Sequence, residues 1–92
     1  MSAKRTDANQ AAIMAELRKA GCSVQTLHVV GHGCPDLVVG HGGQNWLFEV
    51  KTPGGKMTQD EADWATEWRG QYHTVRSAEE ALMLMGLLRR TL

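Results

Sequence analysis

From Asp7 to Ala20 the chain has no glycine or proline, is rich in Ala, Leu and Glu, and places Ile13, Leu17 and Ala20 at helical spacing. That recurrence keeps them on one side, so the stretch predicts a helix capped by Thr6 or Asp7 and stopped by Gly21. Ser23–Val30 alternates loosely and predicts a first strand. Gly31-His32-Gly33-Cys34 is a connection, and Pro35–Val39 predicts a second strand. After the Gly42-Gly43 turn, Asn45–Lys51 predicts a third. Pro53-Gly54-Gly55 is a loop, and Thr58-Gln59-Asp60-Glu61 is a capping box that opens a second helix ending near Gly70. Tyr72–Arg76 predicts a short fourth strand. Ser77-Ala78-Glu79-Glu80 is another capping box, opening a last helix that runs to about Arg90. The order α-β-β-β-α-β-α predicts an α/β (α+β) domain, with a four-stranded mixed sheet flanked by helices.

The same pattern nominates a core. Met57, Glu61, Trp64, Ala65 and Trp68 share one face of the second helix, which assigns Trp64 and Trp68 to the interior and makes Glu61 a carboxylate on an apolar stripe. Trp46, beside a glycine turn, is expected at a rim or an interface. The last helix is apolar on two sides, Ala81/Leu82/Met85/Leu88 and Met83/Leu84/Leu87. One side must face something other than the sheet, and a homodimer is the expectation.

Ninety-two residues suit one domain, residues 1–92, with one modest core. No run is long enough to span a membrane, and Met1-Ser2-Ala3-Lys4-Arg5 lacks the apolar stretch of a signal peptide, so a soluble cytoplasmic protein is expected. Cys22 and Cys34 are too few for a disulfide framework and fit a reducing compartment. The ten basic residues balance the ten acidic ones. A strongly basic nucleic-acid binder is therefore disfavoured, but positive charge can still be local, from Lys4, Arg5, Lys51, Lys56, Arg69 and Arg76. Arg18, Lys19, Arg89 and Arg90 are expected to solvate helix faces.

Two motifs carry chemistry. Cys34-Pro35-Asp36-Leu37 leads into an apolar run, and thirteen residues after the aspartate comes Glu49-Val50-Lys51, closing another. Side chains alternate along a strand, so Glu49 and Lys51 point one way and Val50 the other. Asp36, Glu49 and Lys51 on one rim of adjacent strands form an arrangement for holding Mg2+ or Mn2+ against a phosphodiester. Cys22, His28, His32, Cys34 and His41 also cluster along the chain, but no histidine pair is completed by a matching cysteine pair, and His28 and His32, on a strand and the following loop, suit a tetrahedral zinc site poorly.

Pro35-Asp36 with Glu49-Val50-Lys51 resembles the signature of the PD-(D/E)XK nuclease superfamily. A narrower resemblance is to its VRR nuclease branch, in particular small stand-alone members of viral type. It covers nearly the whole chain, through Asn9-Gln10, Leu17–Gly21, Gly33–Val39, Leu47–Lys51, Met57-Thr58, Trp64, Trp68–Gly70, Val75–Ser77 and Glu80–Leu82. Holliday-junction resolvases of archaeal type are similar more distantly. The resemblance implies a divalent-metal-dependent DNA endonuclease acting on branched or duplex DNA, its virus-type members acting in a host cytoplasm. It assigns Asp36, Glu49 and the Val50 backbone carbonyl to the metal, and Lys51 to the attacking water or the phosphate charge.

Relatives in the superfamily carry a glutamate in the first helix, where this chain has Gln10. Gln10 is either a weak metal ligand on the Ile13/Leu17 stripe or the partner of Asp7 in a capping box. Glu16 lies off that stripe and is expected in solvent. Glu61, Lys56, His32 and Arg69 are further candidates for second-layer or DNA contacts, and His41 is a candidate to flank the site in the same way as His32. The departure at Gln10 keeps open a catalytically weak DNA-binding or assembly module of the same fold.

Overall fold

The structure is a computed structural model that describes residues 3–88, with only the backbone described for residues 3–7. The side chains of Lys4, Arg5, Thr6 and Asp7, and the residues Arg89 and Arg90, lie outside the described residues. The elements are α1 (Ala3–Lys19), β1 (Ser23–Thr26), β2 (Leu37–His41), β3 (Gln44–Val50), α2 (Gln59–Glu67), β4 (Tyr72–Val75) and α3 (Ala78–Leu84). Strands lie in the order β1-β2-β3-β4. The first two pairings are antiparallel and β3/β4 is parallel, because α2 returns the chain to the starting end of the sheet. Gly42 and Gly43, at φ 59° and 80°, form the two-residue turn between β2 and β3; both positions demand a left-handed backbone that matches strand twist.

Alternation along β3 divides the sheet into two faces. Trp46, Phe48 and Val50 point to a buried side, with Leu37 and Val39 of β2 and Val75 of β4. Ile13 and Leu17 of α1, Ala81 of α3 and Met85 just beyond it close that layer. Burying side chains of this size contributes roughly 1.5–3 kcal/mol each. Trp46 is thus a core residue and not the rim residue its neighbouring turn suggested. The converse holds for α2, which has no buried residue. Trp64 is half-buried and Trp68 is 46% exposed, so neither belongs to the core. α1 and α3 already fill the apolar face, and α2 lies over the other one.

Three elements are shorter than the hydrophobic pattern predicts. β1 ends at Thr26, opposite Leu37, and the last tie along that pairing is Leu27 N–H donating to Asp36 O at 2.8 Å. The chain then turns, with Val30 N–H donating to Leu27 O at 3.0 Å, and leaves Val29 and Val30 exposed. α2 stops at Glu67, since Trp68 is extended. α3 stops at Leu84, where Gly86 at φ 78° completes a Schellman cap: Leu87 N–H reaches Leu82 O at 2.8 Å and Gly86 N–H reaches Met83 O at 3.1 Å. Gly21 ends α1 the same way, with Cys22 N–H on Leu17 O at 3.0 Å. α1 begins at Ala3, ahead of the expected Asp7. The helix with two apolar sides therefore ends before Leu87 and Leu88, which stay partly exposed along with Leu84. Among the described residues no helix is long and apolar enough to cross a membrane.

Candidate functional site

Asp36 stands immediately before β2 and Glu49 near the end of β3. The register that pairs Leu37 with Phe48 brings the two residues to the same place on neighbouring strands. Asp36 Oδ2 accepts from Val50 N–H at 2.7 Å, which fixes the aspartate across the strand end. Glu49 points to the face opposite Phe48 and Val50, as its strand position requires. It is the one buried charged residue among those described, at 2% exposure.

Lys51 follows on the same side as Glu49. Its Nζ lies 3.5 Å from Glu49 Oε2 and 2.6 Å from Glu61 Oε1. Its backbone is pinned from two sides: its N–H donates to Val75 O at 3.0 Å, and its carbonyl accepts from Asn9 Nδ2 at 3.1 Å. Glu61 Oε1 also accepts from Thr58 N–H at 2.8 Å, while Glu61 N–H donates to Thr58 Oγ1 at 3.2 Å. The capping role and the contact with the lysine are therefore served by the same carboxylate.

The electrostatics follow from this crowding. Burial, then the negative charges of Asp36 and Glu61, push the Glu49 carboxyl up to about 8, against the opposing pull of Lys51. Counted as a carboxylate, Glu49 leaves Oε1 buried with no donor; protonated, it becomes a donor within hydrogen-bond reach of Asp36. Burial alone would lower Lys51 and raise Glu61. Their mutual bond overrides both tendencies, holding the amine charged above its usual value and the Glu61 carboxyl below its own.

Residues Asp36, Glu49, Lys51 and Glu61 are thus brought together. Gln10 is half-buried on α1, but the helix contact with the strand end is made by its neighbour Asn9. Glu16 is exposed, as expected. His32 (at φ 56°), Lys56 and Arg69 are exposed, and His41 is half-buried. Arg76 donates from one guanidinium nitrogen to Thr52 O at 2.7 Å and Gly55 O at 2.9 Å, so it ties down the loop after Lys51. Among the described residues no group of three or more His, Cys, Asp or Glu is disposed to hold a metal ion. This applies to the histidine–cysteine cluster, whose two cysteines are free thiols, and to the carboxylates, because Glu61 is turned to Lys51.

Sequence reasoning gave Asn9 and Gly33 no role of their own and counted Arg76 only as local positive charge. The two polar side chains act across long stretches of chain and leave no local pattern. Gly33 did leave one, a glycine flanking the aspartate motif. At φ +82°, a Cβ there would lie 2.3 Å from Asp60 O and 3.0 Å from Glu61 N. The loop therefore packs directly against the first turn of α2 and sets where Glu61 stands. Gly31, at φ +70°, has nothing within 4 Å of such a Cβ and is the natural control. Gly31→Ala should cost about 1–2 kcal/mol of left-handed strain. Gly33→Ala should cost clearly more and weaken the Lys51–Glu61 contact, as read by urea unfolding of both variants. Equal costs would show that the close approach to α2 has no consequence.

Compared with known proteins, the chain matches no family model, no curated protein and no solved structure.

Proposed function

We propose that this protein is a Mg2+- or Mn2+-dependent DNA endonuclease of the PD-(D/E)XK type, hydrolysing a phosphodiester. The observation that supports this most is Glu49: a carboxyl buried beside Asp36, with an oxygen that no donor satisfies, next to a lysine kept charged. A pair of carboxylates desolvated together is unfavourable unless a proton or a cation neutralises it. Asp36, Glu49 and the Val50 carbonyl fit the oxygen-rich, incompletely filled set that such ions take when phosphate oxygens and waters complete the shell. When bound there, the ion would lower the pKa of a water and offset phosphate charge.

The protein's own contribution is positional. Val50 N–H orients Asp36, Asn9 and Val75 hold the Lys51 backbone, and Glu61 aims the ammonium. Because Lys51 stays charged, its role in this reading is to stabilise negative charge developing on the phosphate, and not to accept a proton. Paired incision of a branched junction needs two such sites, which favours a homodimer; Leu84, Leu87 and Leu88, left partly exposed at the end of α3, supply apolar surface for it.

The second reading is a DNA-binding or assembly module with weak or no catalysis. It is favoured by the close Lys51–Glu61 pair, which spends the lysine's charge within the protein, and by Gln10 in place of an acid. Incubation of the purified protein with labelled junction, flap, nicked and linear DNAs, in Mg2+, Mn2+ and EDTA, separates the two. Cleavage restricted to the metal lanes is the expected result; binding without cleavage in every lane would support the module.

A further inference from the structure

The exposed apolar surface is not scattered. Every large hydrophobic residue left exposed, among those described, falls in one of two patches. The first holds Val29, Val30 and Trp68; the second holds Leu84, Leu87 and Leu88, at the end of α3. The first patch rims a groove of about 540 Å³ on the sheet face beneath α2, walled by Leu27, Val30, Val38, Leu47, Trp64 and Trp68 among others. Its described walls carry no charged side chain. The second patch lies across the sheet, where α3 packs with α1 over the opposite face. Both patches stay exposed, so neither is filled by the other within one chain.

Charge distinguishes the two. Asp60, Asp63 and Glu67 are exposed on α2 and recur at i, i+3 and i+7, so they form one line along the helix. Trp64 follows Asp63 and stands four residues after Asp60, which puts this acidic line directly beside the Trp64 wall of the groove. The three carboxylates enter no ion pair among the described residues. From Thr58 to Gly70 the only basic residue is Arg69. The α3 patch has the opposite sign beside it, because Leu87-Leu88 is followed directly by Arg89-Arg90. An apolar groove with an acidic lip and an apolar helix end with two arginines are complementary in both respects.

We propose that the groove receives the α3 end of a second copy of this chain. Leu84, Leu87 and Leu88 enter between Val30, Trp64 and Trp68, while Arg89 and Arg90 meet Asp60, Asp63 and Glu67. A two-fold axis forms both contacts at once: each copy gives its helix end and receives its partner's, and the assembly closes as a dimer. Desolvation of the leucines and indoles drives the association, and charge selects its geometry. Pairing groove with groove would set acidic line against acidic line, and pairing helix end with helix end would set arginines against arginines. The proposal rests on the nuclease reading only for the expectation of a dimer, to which it gives an interface.

Sedimentation velocity in EDTA, from about 1 to about 100 µM protein, reads the assembly without metal bridging. The wild type should be a dimer with a micromolar dissociation constant that rises with salt. Leu87→Gln/Leu88→Gln should weaken it about a hundredfold or more, with circular dichroism melts showing that the fold is kept. Two charge reversals test the pairing itself, and decide alone if that double variant unfolds. Asp63→Arg/Glu67→Arg and Arg89→Glu/Arg90→Glu should each be monomeric, because each sets like charges together. Mixed in equal amounts they should dimerise, since every groove then meets a helix end of opposite sign. A wild type that is monomeric at about 100 µM overturns the proposal. So does a dimer that survives Leu87→Gln/Leu88→Gln, or a pair of charge variants that stay monomeric on mixing. DNA cleavage by a monomeric wild type would defeat the interface and leave the nuclease reading standing; a dimer of this kind that cuts nothing in Mg2+ would do the reverse.

Discussion

Asp36→Asn and Glu49→Gln should each give a folded protein that cleaves DNA on the order of 10³-fold more slowly than the wild type. Both changes keep size and shape. The amide that replaces the Asp36 carboxylate retains an oxygen to accept from Val50 N–H, the bond that now spans 2.7 Å. The amide that replaces the Glu49 carboxyl is neutral, as Glu49 itself is at neutral pH in the metal-free protein, given a carboxyl pushed up to about 8. What each variant loses is a negatively charged oxygen where the proposed cation and the scissile phosphate meet. Circular dichroism melts establish folding, and time courses on a labelled substrate give the rate. Wild-type rates in both folded variants would end the assignment of these carboxylates to catalysis.

In EDTA, the stability of the wild type should fall as pH rises from about 5 to about 9, by on the order of a few kcal/mol. The Glu49 carboxyl moves from an ordinary 4.5 to about 8 on folding. Between those values the folded protein holds a proton that the unfolded chain releases. The resulting contribution is complete below about 4.5 and is lost as pH climbs through about 8. The neighbours act outside this window. Glu61, held below its ordinary value, contributes above 4.5 and loses that contribution only at lower pH; Lys51, held above 10.5, loses its contribution only at higher pH. Glu49→Gln should flatten the profile. Urea unfolding at pH 5, 7 and 9 measures both proteins, and parallel profiles would place the pH dependence elsewhere.

The rim was legible because it depends on strand alternation. Once Leu47, Phe48 and Val50 are recognised as one strand, Glu49 and Lys51 must share a face, and the short hairpin brings Asp36 beside them. The capping box at Thr58 likewise located Glu61, although not the fact that its Oε1 serves both Thr58 and Lys51. Less legible was which helix covers which side of the sheet. Trp46, Trp64 and Trp68 look alike in a hydrophobicity pattern, yet the first is buried by α1 and α3 while the last is left open over the other face. Gly86 carried a stop signal like that of Gly21, but the apolar residues beyond it read as a continuing helix. The ties from Asn9 to Lys51 and from Arg76 to Thr52 and Gly55 join parts of the chain too distant for any spacing rule to connect.

The central claim is that Asp36 and Glu49 hold a divalent cation. A crystal soaked in Mn2+ and recorded at the manganese absorption edge tests it most directly. One strong anomalous peak is expected, bounded by the Asp36 and Glu49 carboxylates and the Val50 carbonyl, and absent from a Glu49→Gln crystal treated in the same way. No peak there at millimolar Mn2+, or a peak unchanged in Glu49→Gln, would contradict it.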